Sequence, residues 1–549
     1  MSPKLLAPLA LMALLGVPLG MSLVAAILAA WDAQAWADLL ADSQTGRALG
    51  LSLWTGVAST LLAVAGAAWL LSISFATARW NTMVRVLGPM LALPHVGFAI
   101  GFVALIAPSG WLLRALSPCA TGLSAPPPWA TTQDAWGLGL ITVLAFKEIP
   151  FILWVAATQL QRADVAQRFR SELAVARSMG YGAQPAWWRV LWPQLWPRLR
   201  WPLLAVLAYG LTVVDVALVI GPTSPPTLGV LSWRWLQDAS LARNAQGAAA
   251  AWLLALLLAL VATVGWRIPK LMRWRRRWTS GQRGPVQPLR SRCNLSQRMG
   301  LAGLVSLYLA VMIAVLVGSV SGVWAFPALL PQTVTAGAWE SVWISAGTVG
   351  TTLGLALASS AFALLWSVAW LECAPPRWDA WLRRVIYLPL ILPSVLWVIG
   401  VHAASVRFGL DARWAGVWLA HCLATLPYAL IALSPAYLGF DARYRWVSAS
   451  LGHGQWAFLL RVKWPLLRAA LSSSMAVAFA VSVAQYLPTL FVGAGRFATV
   501  TTEAVTLASG AQRSLTSAYA ALQWLLPVLG FGLAAWVAQP RRFVRAKAG

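Results

Sequence analysis

Residues 5 to 31, LLAPLALMALLGVPLGMSLVAAILAAW, form an apolar run without a single charge. That is longer than the roughly 20 residues a helix needs to cross the hydrocarbon of a bilayer. Similar runs recur near 48–73, 86–107, 136–158, 203–222 and 246–266, and again near 300–324, 343–370, 385–404, 414–437, 470–493 and 515–538. The pattern predicts an all-α polytopic membrane protein with twelve spans in two sets of six. The first run exceeds the roughly 7–15 apolar residues of a signal peptide, so it is expected to remain as the first helix. Only 10% of the chain is charged, against about 25% in an ordinary soluble domain. A water-soluble fold is excluded.

The net charge of +26 would suggest nucleic acid in a soluble protein. Here its distribution gives another meaning. With both termini and the loops after spans 2, 4, 6, 8 and 10 placed inside, the excess positive charge falls on one side, as expected for a cytoplasmic face. The predicted setting is a bacterial inner membrane, crossed many times, with both termini cytoplasmic and no nucleic acid partner. Residues 267–298 carry ten basic residues and no acid. They read as a cytoplasmic linker between a first six-span unit, 1–266, and a second, 299–549, which ends in a basic tail. Cys119, Cys293, Cys373 and Cys422, and His95, His402, His421 and His453, show no ligand spacing, so no metal site is expected.

The two sets resemble each other in detail, the mark of an internal repeat. LPHVGFAIG at 93–101 matches LPSVLWVIG at 392–400, and Pro150 of EIPFIL answers Pro427 of TLPYAL. Gly180, Pro193 and Gly221 answer Gly452, Pro465 and Gly493. The change in offset has a local cause: the outside segment at 110–137 shrinks to a few residues around RFGLDAR in the second copy. Length changes in a loop cost little. Two copies of one bundle imply a pseudo-two-fold axis along the membrane normal with a pathway between them.

Between the fourth and fifth spans of each unit lies a patterned segment, SELAVARSMGYGAQPAWWRVLWPQLWPRL in the first and RWVSASLGHGQWAFLLRVKWPLLRAAL in the second. Each has a helix-prone stretch, a Gly, a Val ten residues on (Val190, Val462) and a Pro thirteen on (Pro193, Pro465). Gly180 and Gly452 suit the left-handed conformation that ends a helix, and the prolines suit the first turn of the next one. The segments resemble the E-A-A, G, I-x-L-P loops of permease subunits in binding-protein-dependent ABC importers. In that family the loop forms a coupling helix that docks on the ATPase. The positions of the family's leading acid hold Ala174 and Trp446, with Glu172 two residues early, and Val175, Ala176, Val447 and Ser448 follow. The dock is therefore expected to rest on shape and apolar contact, with Arg177 contributing. The chain as a whole resembles the double-length permeases of the ferric-iron and thiamine branch, and the run AQYLPTLFVGAGRFATVTTEAV resembles its YnjC-type members. The resemblance implies a type I importer fold, a cytoplasmic ATPase homodimer and a periplasmic substrate-binding protein.

The lysines are Lys4, Lys147, Lys270, Lys463 and Lys547, and Gly precedes none of them. A phosphate-binding loop needs Gly-Lys, so ATP is expected to be used by a partner subunit, and the chain itself is read as no enzyme and without a bound cofactor. Lys147 and Glu148 in the fourth span and Asp215 in the fifth need partners in hydrocarbon. Lys147 with Asp215 or Glu148 would satisfy that need, and a pathway-lining role is the alternative. Gln485 and Tyr486 are further candidates for the pathway, and Arg496 and Glu503 for contact with a binding protein. A twelve-span secondary transporter is the rival class. A membrane-embedded enzyme fits less well, because no repeated cluster gathers titratable groups as acid–base chemistry requires.

Overall fold

The computed structural model describes residues 3–539 other than 76, 78–79, 161–162, 272–291, 376, 380–381, 383–387 and 511. The centre of the basic linker and the basic C-terminal tail from 540 lie outside the described residues. Among the described residues the fold is all-α, apart from one isolated bridge between Ser321 and Val334. Nine helices there are long and apolar enough to cross a membrane, and a tenth span arises if the pair Gln455–Leu466 and Arg468–Val483, bent by 74°, is counted as one.

Among the described residues each expected apolar run falls largely on helix, but five of the runs are broken, the eighth at Ser345 between Gly337–Ile344 and Ala346–Cys373. In the third span Trp80–Ala92 ends before Pro94, which caps His95–Ile106 with extended backbone (φ −63°, ψ 156°). In the ninth, Pro393 likewise precedes Ser394–Arg407. A proline pushes the residue before it out of the helical region and lacks the N–H that would continue the ladder. The fifth span breaks at Val213–Val214, between Trp192–Thr212 and Asp215–Ile220. The eleventh breaks between Arg468–Val483 and Leu487–Gly493. The run expected to 324 leaves helix after Ser319.

Inside each repeat the second span is the hub. Thr45–Ser74 packs on Leu138–Leu160 and Trp192–Thr212, and Ala346–Cys373 packs on Trp414–Leu438 and Arg468–Val483. Small residues make these crossings close, as membrane helices without a hydrophobic drive between them require. A Cβ placed on Gly56 would lie 2.8 Å from the backbone nitrogen of Leu211.

Between repeats the first helices are exchanged. Pro3–Ala29 packs along Ser394–Arg407 of the second repeat, and Arg292–Ser319 packs along His95–Ile106 of the first. The first helix is pinned by the indoles of Trp366 and Trp252, which donate to the carbonyls of Leu11 (3.1 Å) and Ala26 (3.0 Å). The crossings fall on the final glycines of the two matched motifs. A Cβ on Gly101 would meet the Val311 carbonyl oxygen at 2.7 Å, and one on Gly400 would meet the backbone of Ser22.

Candidate functional site

The two patterned segments are built alike. Ala163–Ser178 and Arg443–Ser450 are helices, and each ends on a glycine with positive φ, +87° at Gly180 and +78° at Gly452. The residue after each glycine reaches back five positions: Tyr181 N–H donates to Ala176 (3.1 Å) and His453 N–H to Ser448 (3.1 Å). Orphan carbonyls at both helix ends are thereby satisfied. Pro193 and Pro465 stand in the first turn of the following helical segments. A single π turn precedes each, Trp187–Leu191 and Leu459–Lys463, containing Val190 and Val462. The widened turn lets the helix run on into a proline that offers no N–H. Nothing in the sequence pattern announced it.

From 174 to 179 and from 446 to 451 matched positions also share exposure. Ala176 and Ser448 face inward, whereas Ala174, Val175, Arg177 and Met179, and Trp446, Val447 and Leu451, are exposed. In the first copy a groove of about 480 Å³ runs beside this face, lined by Val175, Met179, Tyr181, Arg189 and Val190. Glu172, half-buried, also lines this groove. Its carboxylate accepts from Arg168 Nε (2.8 Å) and Gln194 Nε2 (2.6 Å), fastening the helix to the fifth span. Burial pushes this carboxyl up, but the two hydrogen bonds and the Arg168 charge outweigh burial and hold it below its usual range. The second copy is fastened differently. Glu372, at the end of Ala346–Cys373, pairs with Lys463 and accepts from Tyr437 Oη at 2.7 Å. Lys463 also lies 3.9 Å from the Tyr437 ring centroid.

A second constellation lies at the span breaks. Glu148 pairs with His95 Nε2 at 3.0 Å. The His95 ring stands 4.6 Å from that of Tyr209, whose hydroxyl lies beside Asp215. Tyr486 and Tyr428 of the second repeat approach Asp215 and Tyr209 respectively. The expected pairing of Lys147 with Asp215 or Glu148 is corrected. Lys147 Nζ donates to the Met90 carbonyl at 3.1 Å, and Lys147 is buried. That carbonyl would have bonded the N–H four residues on, where Pro94 has none. Pro150 frees the Phe146 carbonyl in the same way, and Tyr308 Oη donates to it at 3.2 Å. His95, Tyr209, Asp215 and Gln485 keep partial exposure and Tyr428 is exposed, in contrast to Lys147 and Tyr486. The Gln485 amide donates to Val481 at 3.0 Å.

Sequence reasoning missed His95, Tyr209 and Tyr428. His95 had a signal, as the residue directly after the Leu-Pro of a repeated motif; the tyrosines had none. Arg496 is exposed, whereas Glu503 is half-buried in the first turn of Val500–Ala508. That helix opens on a capping box between Thr499 and Thr502. Among the described residues no three His, Cys, Asp or Glu side chains are grouped to hold a metal ion.

No protein-family model matches this chain. It is 34% identical over 518 residues to the inner membrane ABC transporter permease protein YnjC of Escherichia coli (strain K12), covering 93% of this chain and 91% of that protein. It is 25% identical over 497 residues to the thiamine transport system permease protein ThiP of Salmonella typhimurium, 87% of each chain. Over 121 residues it is 36% identical to the molybdenum transport system permease protein ModB of Mycobacterium tuberculosis, covering 20% of this chain and 46% of that one.

Proposed function

This chain belongs to the permease subunits of ABC transporters, and on that premise we propose that it is the translocation subunit of an importer. In this reading a separate ATPase pair docks on the two matched segments, and a periplasmic binding protein delivers a small solute. The solute passes between the repeats of an inner-membrane protein whose termini are both cytoplasmic. The observation that carries the reading is the pair of glycine-ended helices, matched in backbone geometry and in which residues they expose. The exposed residues of the second, Trp446, Val447 and Leu451, are apolar, which supports docking by shape and apolar contact. Each π turn joins its segment directly to a broken span, a continuous route for movement from dock to pathway.

The pathway is assigned to the partly exposed groups at the breaks: His95, Tyr209, Asp215, Tyr428 and Gln485, with Glu148 and Tyr486 behind them. Lys147 is assigned to structure, because its bond completes the Pro94 break. Arg496, exposed, is the better candidate for the binding protein than Glu503. The test is to purify tagged wild-type and Gly180→Leu/Gly452→Leu proteins from native membranes and quantify the associated ATPase. A left-handed residue with a side chain costs about 1–2 kcal/mol, so the double variant should remain in the membrane and lose the ATPase and uptake. Equal ATPase recovery and uptake would refute the assignment, and ATPase-free, proton-coupled uptake would favour a secondary transporter.

A further inference from the structure

At the end of the bundle opposite the coupling helices lies a cavity of about 520 Å³ with two arginines in its lining, Arg114 and Arg513. Its other walls come from distant segments, among them Pro108, Ser124, Trp324 and Phe326. Arg114 is buried. It donates to the carbonyls of Ser109 (2.9 Å), Trp324 (3.0 Å), Ala325 (2.8 Å) and Ala328 (2.7 Å), and lies 4.8 Å from the Trp324 ring centroid. Arg513 is exposed, and one of its nitrogens donates to Ser109 Oγ at 2.7 Å.

Four carbonyls satisfy four of the five N–H groups of Arg114, but they are dipoles and leave its charge uncompensated. Arg513 acts on it as a like charge. Among the described residues neither arginine has a carboxylate partner. Two cations held together without an acid repel, and an anion entering between them reverses the sign of the interaction. The depth narrows the chemistry. Arg114 lies near the end of the span His95–Leu116 and Arg513 opens the span Arg513–Ala538, so both sit at the level of lipid headgroups. The guanidinium fork matches phosphate oxygens.

We propose that this cavity binds a phosphate group, held by the free donors of Arg513 against the buried charge of Arg114. The group can come from a lipid headgroup or from free phosphate, and the test separates the two. Full-length protein in uncharged detergent is titrated with inorganic phosphate at constant ionic strength set with chloride, and separately with phosphatidylglycerol, while thermal stability is followed. The wild type should show a saturable rise with at least one probe. Phosphatidylglycerol alone identifies a headgroup site; a response to inorganic phosphate as well identifies a site open to the free ion. Arg513→Gln should raise the half-saturating concentration about tenfold or more, the worth of one charge-assisted hydrogen bond, and Arg513→Lys should fall between. Failure of both probes to stabilise the wild type would overturn the proposal, and so would an unchanged titration in Arg513→Gln. Should that variant not fold, the wild-type titrations and Arg513→Lys decide.

Discussion

Replacing Gly101 with alanine tests the exchange of first helices directly. The added Cβ would lie 2.7 Å from the Val311 carbonyl oxygen and 2.8 Å from Val315 Cγ2. Comfortable contact begins near 3.5 Å, so the two helices must part by roughly 0.8 Å or strain in place, and overpacking of this kind costs about 1–3 kcal/mol. Alanine also gains up to about 1 kcal/mol of helix propensity over glycine, which masks part of the loss. Gly303→Ala supplies the correction. Gly303 lies on the partner helix with nothing within 4 Å of an added Cβ, so it takes the propensity gain without the clash. The difference between the two variants therefore reports the crossing, about 1–3 kcal/mol. Gly400→Ala should lose more, because the obstacle there is the Ser22 backbone, which cannot rotate aside. The assay is the fraction of purified protein that stays monodisperse after graded heating. The expected order of stability is Gly400→Ala lowest, then Gly101→Ala, then wild type, with Gly303→Ala at or above wild type. Gly101→Ala as stable as Gly303→Ala would refute the reasoning.

Lys147→Met leaves the Met90 carbonyl buried without a donor, a loss of about 1–3 kcal/mol; membrane abundance should fall while uptake per molecule holds, and normal abundance with lost uptake would return Lys147 to the pathway. Glu372→Gln removes the charge partner of Lys463 and should destabilise by about 1–3 kcal/mol. Proteolysis of the second coupling segment should accelerate, and a double variant with Lys463→Gln should lose less than the two single effects combined. Glu172 is held below its ordinary carboxylate range in the fold, so its stabilisation is full above that range and disappears as pH falls through the depressed folded value. Hydrogen exchange in Ala163–Ser178 should rise on acidification, and Glu172→Gln should abolish that step.

The fold class was legible because hydrocarbon imposes a length on every span, and the repeat was legible because matched prolines and glycines hold backbone positions. What those residues do was not. Pro94 and Pro393 lie inside runs that read as continuous by hydropathy, and only their missing N–H groups convert the runs into breaks. Gly101 and Gly400 were visible as the ends of a shared motif, but their reason is a helix far away in sequence, the one carrying Val311 for Gly101 and the one carrying Ser22 for Gly400. The site was legible in part. Glu148, Asp215 and Tyr486 do converge, through His95 and Tyr209, while Lys147 was paired wrongly because a charge in hydrocarbon suggests another charge. A backbone carbonyl freed by a proline is an equally good partner, and hydropathy does not show it.

The repeats share a backbone plan and differ in chemistry at the same places. At the fifth-span break the first repeat sets Asp215, within reach of His95 and Tyr209. At the corresponding break the second sets Gln485 and Tyr486, backed by His421, whose ring nitrogens bond Ser482 and Thr489, both at 2.8 Å. The Thr489 hydroxyl donates to the Gln485 carbonyl at 3.1 Å, so it accepts its bond from His421 Nε2. One wall of the proposed pathway thus carries a carboxyl at the break, where the other carries an amide. Two identical subunits could not make such a pathway, because any acid at the break would appear on both walls and face its own copy. Joining the repeats in one chain removes that constraint, and the separate fastenings of the two coupling segments, Glu172 to Gln194 in one and Glu372 to Lys463 in the other, show the same freedom at the opposite end of the route.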